Sequence, residues 1–367
     1  MSVAETQYFA LLRAALWDAP VVIDGPIDWK AVMQTADFHG NSALIADVAA
    51  RMDDDRPSPK SLAKMQTTMR DNLIHHMRLR QILLSAVLLL REHGIEPVLL
   101  KGFGLAMFYP NPSLRQFSDI DLFIGLGDFH EACALLRTLP GGYNWGDEVD
   151  TGKHYNIEFG QYPMEVHRVS SDIDDAKEHA LYAAIEQDGL IDHPQRVDLE
   201  GFEISIPSKE FVVFFTFYHA WHHFLTTGVG WRQLTDVAMA LHAYHGQIDT
   251  GKLRQWLDAM HLMKPWQTFG YLMVANLGLP PTELPFYDSG CMRKAGKLYR
   301  QVMREGNFKR ANTFKYKKPK NRLGHKVHAF LCIFVDFFHR VGVFPTLAFS
   351  EMKHAFQTGL KKNFQKK

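Results

Sequence analysis

The sequence predicts an α+β fold in which a small mixed β-sheet with flanking helices is followed by an all-helical unit. Three observations carry this reading. Short apolar or alternating runs separated by turn residues fall between residues 95 and 206, as strands do. Apolar residues recur at helical spacing from 61 to 93 and again in four segments after 208. Pro207-Ser208 marks the change from one regime to the other. The expected divisions are 1–94, an N-terminal helical region; 95–207, the sheet-bearing core; 208–290, a helical domain; and 291–367, a basic, aromatic C-terminal extension.

A chain of 367 residues can bury two cores. Hydrophobic residues make up 46% and charged residues 22%, without a low-complexity tract, so the chain is globular rather than disordered. Cys133, Cys291 and Cys332 are odd in number and far apart, which argues against a disulfide framework and makes a reducing cytoplasm the expected compartment. The N-terminus, MSVAETQYFALLRAALWDAP, has acidic residues and neither a basic start nor a cleavage site, unlike a secretory signal. From Arg293 onward 19 Lys and Arg face 3 acidic residues, a balance of +16, so the residues before it carry −15.

Residues 5 to 17 and 28 to 52 read as short amphipathic helices, the second capped at or just before Asp28. Pro57-Ser58-Pro59 interrupts, and Ser58 or Ser61 caps a long helix that runs to His93 and closes at Gly94. His75 and His76 in its middle read as a structural pair rather than as ligands. The helix is expected to cross the sheet and to lead into its first strand.

Glu96 to Leu100 is a short apolar strand that ends at Lys101-Gly102-Phe103-Gly104. Leu105 to Tyr109 then reads as a short buried helix, stopped by Pro110-Asn111-Pro112. From Ser118 to Ile124 the pattern alternates, with Ile120, Leu122 and Ile124 apolar, so Asp119 and Asp121 share one face. Two carboxylates side by side repel unless a positive charge lies between them. Hard oxygen ligands that leave room for water and phosphate suit Mg²⁺ or Mn²⁺. Gly102 and Gly104 let a phosphate approach the backbone at the start of the following helix, and Lys101 adds a cation. The stretch reads as a phosphate cradle beside a metal-binding carboxylate pair.

Asp128 to Thr138 is an expected helix ended by Pro140-Gly141-Gly142. Strands at 153–159 and 164–169 follow, separated by Gly160-Gln161-Tyr162-Pro163. Glu165 and His167, two apart, face the same side of the second strand. Beside the Asp119/Asp121 strand, Glu165 would complete a three-carboxylate cluster bordered by His167. An exposed Glu-His pair on an edge strand is the bland alternative, and Glu158 is a rival third carboxylate. Asp174 to Ile185 reads as a helix, and 196–206 as a hairpin at the edge of the sheet.

The order of strand, Gly turn, short helix and D-x-D strand resembles the DNA polymerase β superfamily of nucleotidyltransferases. LLKGFGLAMFY followed by LRQFSDIDLFI resembles more closely a bacterial branch of uncharacterised nucleotidyltransferases, in which an LKG motif replaces the Gly-Ser pair. The likeness is sharpest between residues 96 and 168. It implies that Glu165, in Met164-Glu165-Val166-His167-Arg168, is the third carboxylate. Asp119, Asp121 and Glu165 would then hold Mg²⁺ or Mn²⁺, while Lys101, Gly102 and Gly104 meet the triphosphate of an NTP co-substrate, with Ser118 and Arg115 beside them. Arg115 is equally readable as a surface arginine in a loop.

After Ser208, four helical segments are expected, at 211–225, 231–244, 251–262 and 265–277, closing one side of a nucleotide cleft as the resemblance implies. His219 and His223, four apart, share a face and are a possible zinc pair, although aromatic and His packing along the cleft is the better reading. Arg232 and Asp236 lie on the next helix, and Arg232 is a candidate phosphate contact. KYKKPKNR at 315–322 precedes an apolar, aromatic stretch whose uninterrupted run is too short to span a bilayer. Three readings compete for it: an RNA-binding surface, peripheral contact with the inner membrane surface, or packing on the acidic body of the protein. The expected activity is metal-dependent transfer of an NMP group from an NTP to an unidentified hydroxyl, releasing pyrophosphate. A non-catalytic nucleotide-binding or membrane-associated scaffold on the same fold is the alternative.

Overall fold

A computed structural model describes residues 1–143, 154–171, 173 and 175–306, with 328, 331, 334, 337, 338 and 341–345. The basic run at 315–322 and most of the aromatic stretch beyond it lie outside the described residues.

Three helices open the chain: α1 (Val3–Trp17), α2 (Trp29–His39) and α3 (Ser42–Arg51). Ser2 and Glu5 form a capping box on α1, and Asp28 accepts from the Ala31 amide to cap α2. Gly40, at φ 75°, ends α2 and turns the chain into α3. The long helix is α4 (Pro59–Glu92); Ser58 is its cap and Pro59 takes the first-turn position where no amide is needed.

Seven strands form one mixed sheet: β1 (Val98–Leu99), β2 (Ile120–Phe123), β3 (Gly142–Tyr143), β4 (His154–Phe159), β5 (Tyr162–His167), β6 (Gln195–Asp198) and β7 (Glu203–Ile206). Their spatial order is β3-β4-β5-β2-β1-β7-β6. The β2–β5 and β1–β7 pairs are parallel and the others antiparallel. The β6–β7 hairpin forms one edge, as expected from 196–206. The short helix α5 (Phe103–Ala106) begins two residues earlier than its apolar run suggested, because Gly102 itself is the cap. The helix α6 (Phe129–Leu136) follows β2, and α7 (Ala176–Glu186) follows β5.

The alternation read in the strands separates the two faces of the sheet. Leu99, Ile120, Leu122, Ile157, Met164 and Val166 pack on one side against Leu79, Leu83, Val87 and Leu90 of α4. Those four α4 side chains are fully buried, each contributing about 1.5–3 kcal/mol relative to exposure. Val98, Leu100 and Phe123 point the other way, into a second core.

That second core is built from both ends of the chain. After α8 (Lys209–Leu225), α9 (Trp231–Ala243), α10 (Thr250–Ala259), α11 (Met263–Leu272) and α12 (Met292–Glu305), residues of these helices share one cluster with α1, α2 and α3. Arg13 and Trp17 of α1 donate to the carbonyls of Asn276 and Leu277, at 3.0 and 2.6 Å. The expected divisions at 94 and 290 therefore do not separate independent cores. Farther along, Phe344 is buried, its ring 5.2 Å from that of Trp221 on α8.

Candidate functional site

Parallel pairing of β2 with β5 sets Asp121 opposite Glu165, so both carboxylates project from the sheet face turned toward the helical unit. Asp119 lies one residue before β2 begins, held by a preceding loop rather than by the strand itself. On the next strand out, β4 pairs antiparallel with β5, placing Asn156 opposite Glu165 and His154 opposite His167. Glu158, the rival third carboxylate, pairs instead with Pro163 toward the hairpin end. Register therefore favours Glu165 as the neighbour of Asp121.

Lys101, Gly102, Ser118, Asp119, Asp121 and Glu165 line one cleft of about 290 Å³, walled on its far side by Thr216, Tyr218, His219, His222 and His223 of α8 and by Arg232 of α9. Lys101 Nζ is 2.9 Å from Asp121 Oδ1. His167 Nε2 lies 3.0 Å from the same oxygen and 3.3 Å from Glu165 Oε2, so an Nε2 proton ties the two carboxylates together. Asp121 is 1% exposed, and its other oxygen, Oδ2, has no hydrogen-bond partner. A buried carboxylate oxygen left unpaired is costly unless a cation reaches it.

The electrostatics follow from this crowding. Burial and then the neighbouring Asp121 charge push the Asp119 carboxyl above its ordinary range. Burial also works to raise Asp121, but Lys101 and the hydrogen bond from His167 overcome it and hold that carboxyl low. Glu165 is likewise held low, because His167 and Lys101 outweigh burial and the repulsion of Asp121. Burial alone would lower Lys101, yet Asp121, Asp119 and Glu165 together keep its pKa above the usual value.

Gly102 is the hinge of the cradle. Its φ of 62° lies where side chains are strained, and an added Cβ would sit 3.3 Å from both the Asp119 carbonyl and the Phe117 ring. Gly104 behaves differently from expectation. It packs beneath the turn against Leu99 and Ile206 and is not among the residues lining the cleft. Arg115 lines the cleft beside the glycine turn and is not a surface arginine. It is 3% exposed, its Nε and Nη2 bind Asp236 at 2.6 and 2.8 Å, and Nη1 donates to the Gly102 carbonyl at 3.1 Å. It is a buried brace between α9 and the glycine turn, with its charge matched by Asp236. Tyr109 completes the brace by donating to Asp236 at 2.7 Å. Arg232 lines the cleft as well, and its Nη1 donates to the Gln116 carbonyl at 3.0 Å.

His76 is structural: its Nε2 is 2.6 Å from the Arg115 carbonyl and its ring packs on Phe103 and Phe117. His219 and His223 meet through their Nε2 atoms at 3.0 Å, and His223 Nδ1 is 2.6 Å from Thr227 Oγ1. Both line the cleft.

Two groups escaped the sequence reading. His154 joins Glu165 and His167, with donor atoms all within 4.8 Å of one another, a group able to hold a metal ion. The signal was the hairpin register. Gly160-Gln161 alone forms the loop, with Gly160 at φ 69°, which brings Phe159 opposite Tyr162 and hence His154 opposite His167. Ser170, after β5, binds Glu186 and Tyr182 of α7, the latter at 2.7 Å, and anchors the segment bordering the cleft.

The sequence model of the family described as uncharacterised nucleotidyltransferase matches residues 25–278. The chain belongs to that family. Among solved structures it is similar to the antibiotic-resistance factor ANT(2'')-Ia, at 15% identity and a TM-score of 0.35 over 50% of this chain and 90% of that one. It is also similar to an antigenic nucleotidyltransferase-like protein from Paracoccidioides brasiliensis, at 12% identity and a TM-score of 0.34 over 60% of this chain and 96% of that one. No curated protein matches it.

Proposed function

We propose that this nucleotidyltransferase moves a nucleoside monophosphate from an NTP to a hydroxyl acceptor, with release of pyrophosphate. The observation that carries the reading is the unpaired Asp121 Oδ2, buried beside Asp119 and Glu165 and next to the Lys101-Gly102 turn. Three carboxylates around a polar cleft fit Mg²⁺ or Mn²⁺, and Asp119, Asp121 and Glu165 are the residues that would hold it. Such an ion, when bound, supplies charge neutralisation and lowers the pKa of an acceptor hydroxyl. The remaining work belongs to the chain. Gly102 lets phosphate oxygens approach the backbone, Lys101 and Arg232 place positive charge around them, and α8 covers the cleft. Phosphoryl chemistry asks mainly for such positioning and electrostatics.

A second reading, a nucleotide-binding scaffold without transfer activity, draws on one observation. Asp121 Oδ1 already carries Lys101 and His167. Calorimetric titration with the four NTPs, with and without Mg²⁺, separates the two readings. The transferase reading expects metal-dependent binding that is lost in Asp119→Asn/Asp121→Asn. A folded wild-type protein that binds no NTP, or binds it equally well without metal, overturns that reading.

A further inference from the structure

A second cavity, of about 490 Å³, abuts the cleft across α8 and shares Tyr218 and His222 with it. Its chemistry differs from that of the cleft. Trp221 and Leu225 of α8, with Leu262 and Phe344, give it an apolar wall, while Lys264 and Lys294 stand at its mouth. Trp221, Leu262 and Phe344 are buried, and both lysines are exposed. This volume, lined mainly by apolar and aromatic groups with a few charged ones, suits a small-molecule site. Its lining holds two lysines and two histidines against one carboxylate, Glu178, with Asp288 paired to Lys264 at 3.5 Å, although residues 1 to 292 as a whole carry a net charge of −15.

We propose that this cavity is the acceptor subsite, and that the acceptor is an amphipathic alcohol with an apolar or aromatic body and an anionic group. The proposal rests on the transferase reading above for the word acceptor, but the binding site stands on its own geometry. The cleft has its own cations, Lys101, Arg115 and Arg232, and Lys264 at the mouth of the second cavity already lies 3.5 Å from Asp288, so Lys294 is the cation placed there to meet a different anion. Tyr218 and His222 line both cavities, so the second cavity adjoins the cleft in which the phosphates would sit. Polycationic acceptors are disfavoured by the same lysines.

The test uses the full chain and anilinonaphthalene sulfonate, an apolar anionic probe, titrated by fluorescence with excitation of Trp221 and its neighbours. The expected result is saturable binding that weakens about tenfold or more in Lys294→Glu and in Leu225→Glu, and about tenfold for phenylnaphthylamine, which lacks the sulfonate. Circular dichroism and melting curves show whether each variant is folded; Lys294 is exposed, so its variant carries the test if Leu225→Glu does not fold. NTP with Mg²⁺ should leave the probe bound. Displacement by NTP would make the cavity the nucleobase pocket and overturn the proposal. So would equal affinity in both folded variants, or no saturable binding to the wild type. Calorimetry on the same samples shows separately whether NTP binds, so failure of the transferase reading is seen apart from failure of the subsite.

Discussion

Lys101 does two jobs whose demands conflict. Its ammonium is the counter-ion for a carboxylate buried to 1% exposure, yet phosphate and metal ions compete for the same partners. Lys101→Met leaves Asp121 with only the His167 proton, and removing one member of a buried pair costs about 3–5 kcal/mol. The metal-free variant should therefore unfold at a lower denaturant concentration, and Mg²⁺ should recover part of the loss by taking the lysine's place. Denaturant melts with and without Mg²⁺ measure both effects. A variant as stable as the wild type without metal would show that Lys101 is not the counter-ion. The His154 imidazole beside Glu165 is a nitrogen donor that a first-row transition ion such as Mn²⁺ accepts more readily than the oxygen-seeking Mg²⁺, so half-saturation of NTP binding should come at lower Mn²⁺, and His154→Gln should narrow that difference.

Between elements, the decisive contact is the Arg115–Asp236 brace that fixes α9 to the glycine turn. Arg115→Met should cost about 3–5 kcal/mol, because Asp236 stays buried without its partner. Asp236→Leu added to it should return most of the stability, since apolar replacements of a buried pair are often neutral. NTP binding should stay weak in the double variant, because the Gly102 carbonyl has lost its donor. Recovery of both stability and binding would mean that the brace does not hold the cradle.

This brace shows where sequence reading stops. Asp121 was legible because strand alternation fixes which side chains share a face, whereas Glu165 was chosen over an exposed edge-strand pair only by the family resemblance. The long α4 was legible from its caps and apolar spacing. Arg115 was not, because it follows Pro112-Ser113-Leu114 in a loop with no period, and its partner lies 121 residues away. The Arg232 and Asp236 spacing on α9 hinted that two charged residues turn inward, without naming what they meet. Similarly, the apolar spacing of α1 announced a helix that is buried but not the surfaces that cover it, on nearly every side from Gln7 to Leu16.

At the scale of the whole molecule, two buried histidines set the acid limit of stability. Burial lowers His39 to about 3 and His76 to about 4, and neither ring nitrogen of His39 has a hydrogen-bond partner. The folded protein keeps both neutral, whereas the unfolded chain protonates each near pH 6.5. Below that pH the unfolded state binds more protons, so stability is full above about 6.5 and falls as pH drops toward the folded values, by up to about 1.4 kcal/mol per pH unit for each histidine. His39→Leu should flatten the acid limb of a plot of unfolding free energy against pH, and an unchanged slope would remove His39 from this account. The shared core of α1 and the later helices has a further consequence, in time rather than energy. Trp17 finds its carbonyl partner 260 residues downstream, so at about 5–20 residues per second a ribosome needs on the order of 10 to 50 s to deliver it. Throughout that interval the part of α1 that meets the later helices waits uncovered, while α2 and α3 are already present to cover the rest, and the nascent chain must complete its sheet before its beginning can fully settle.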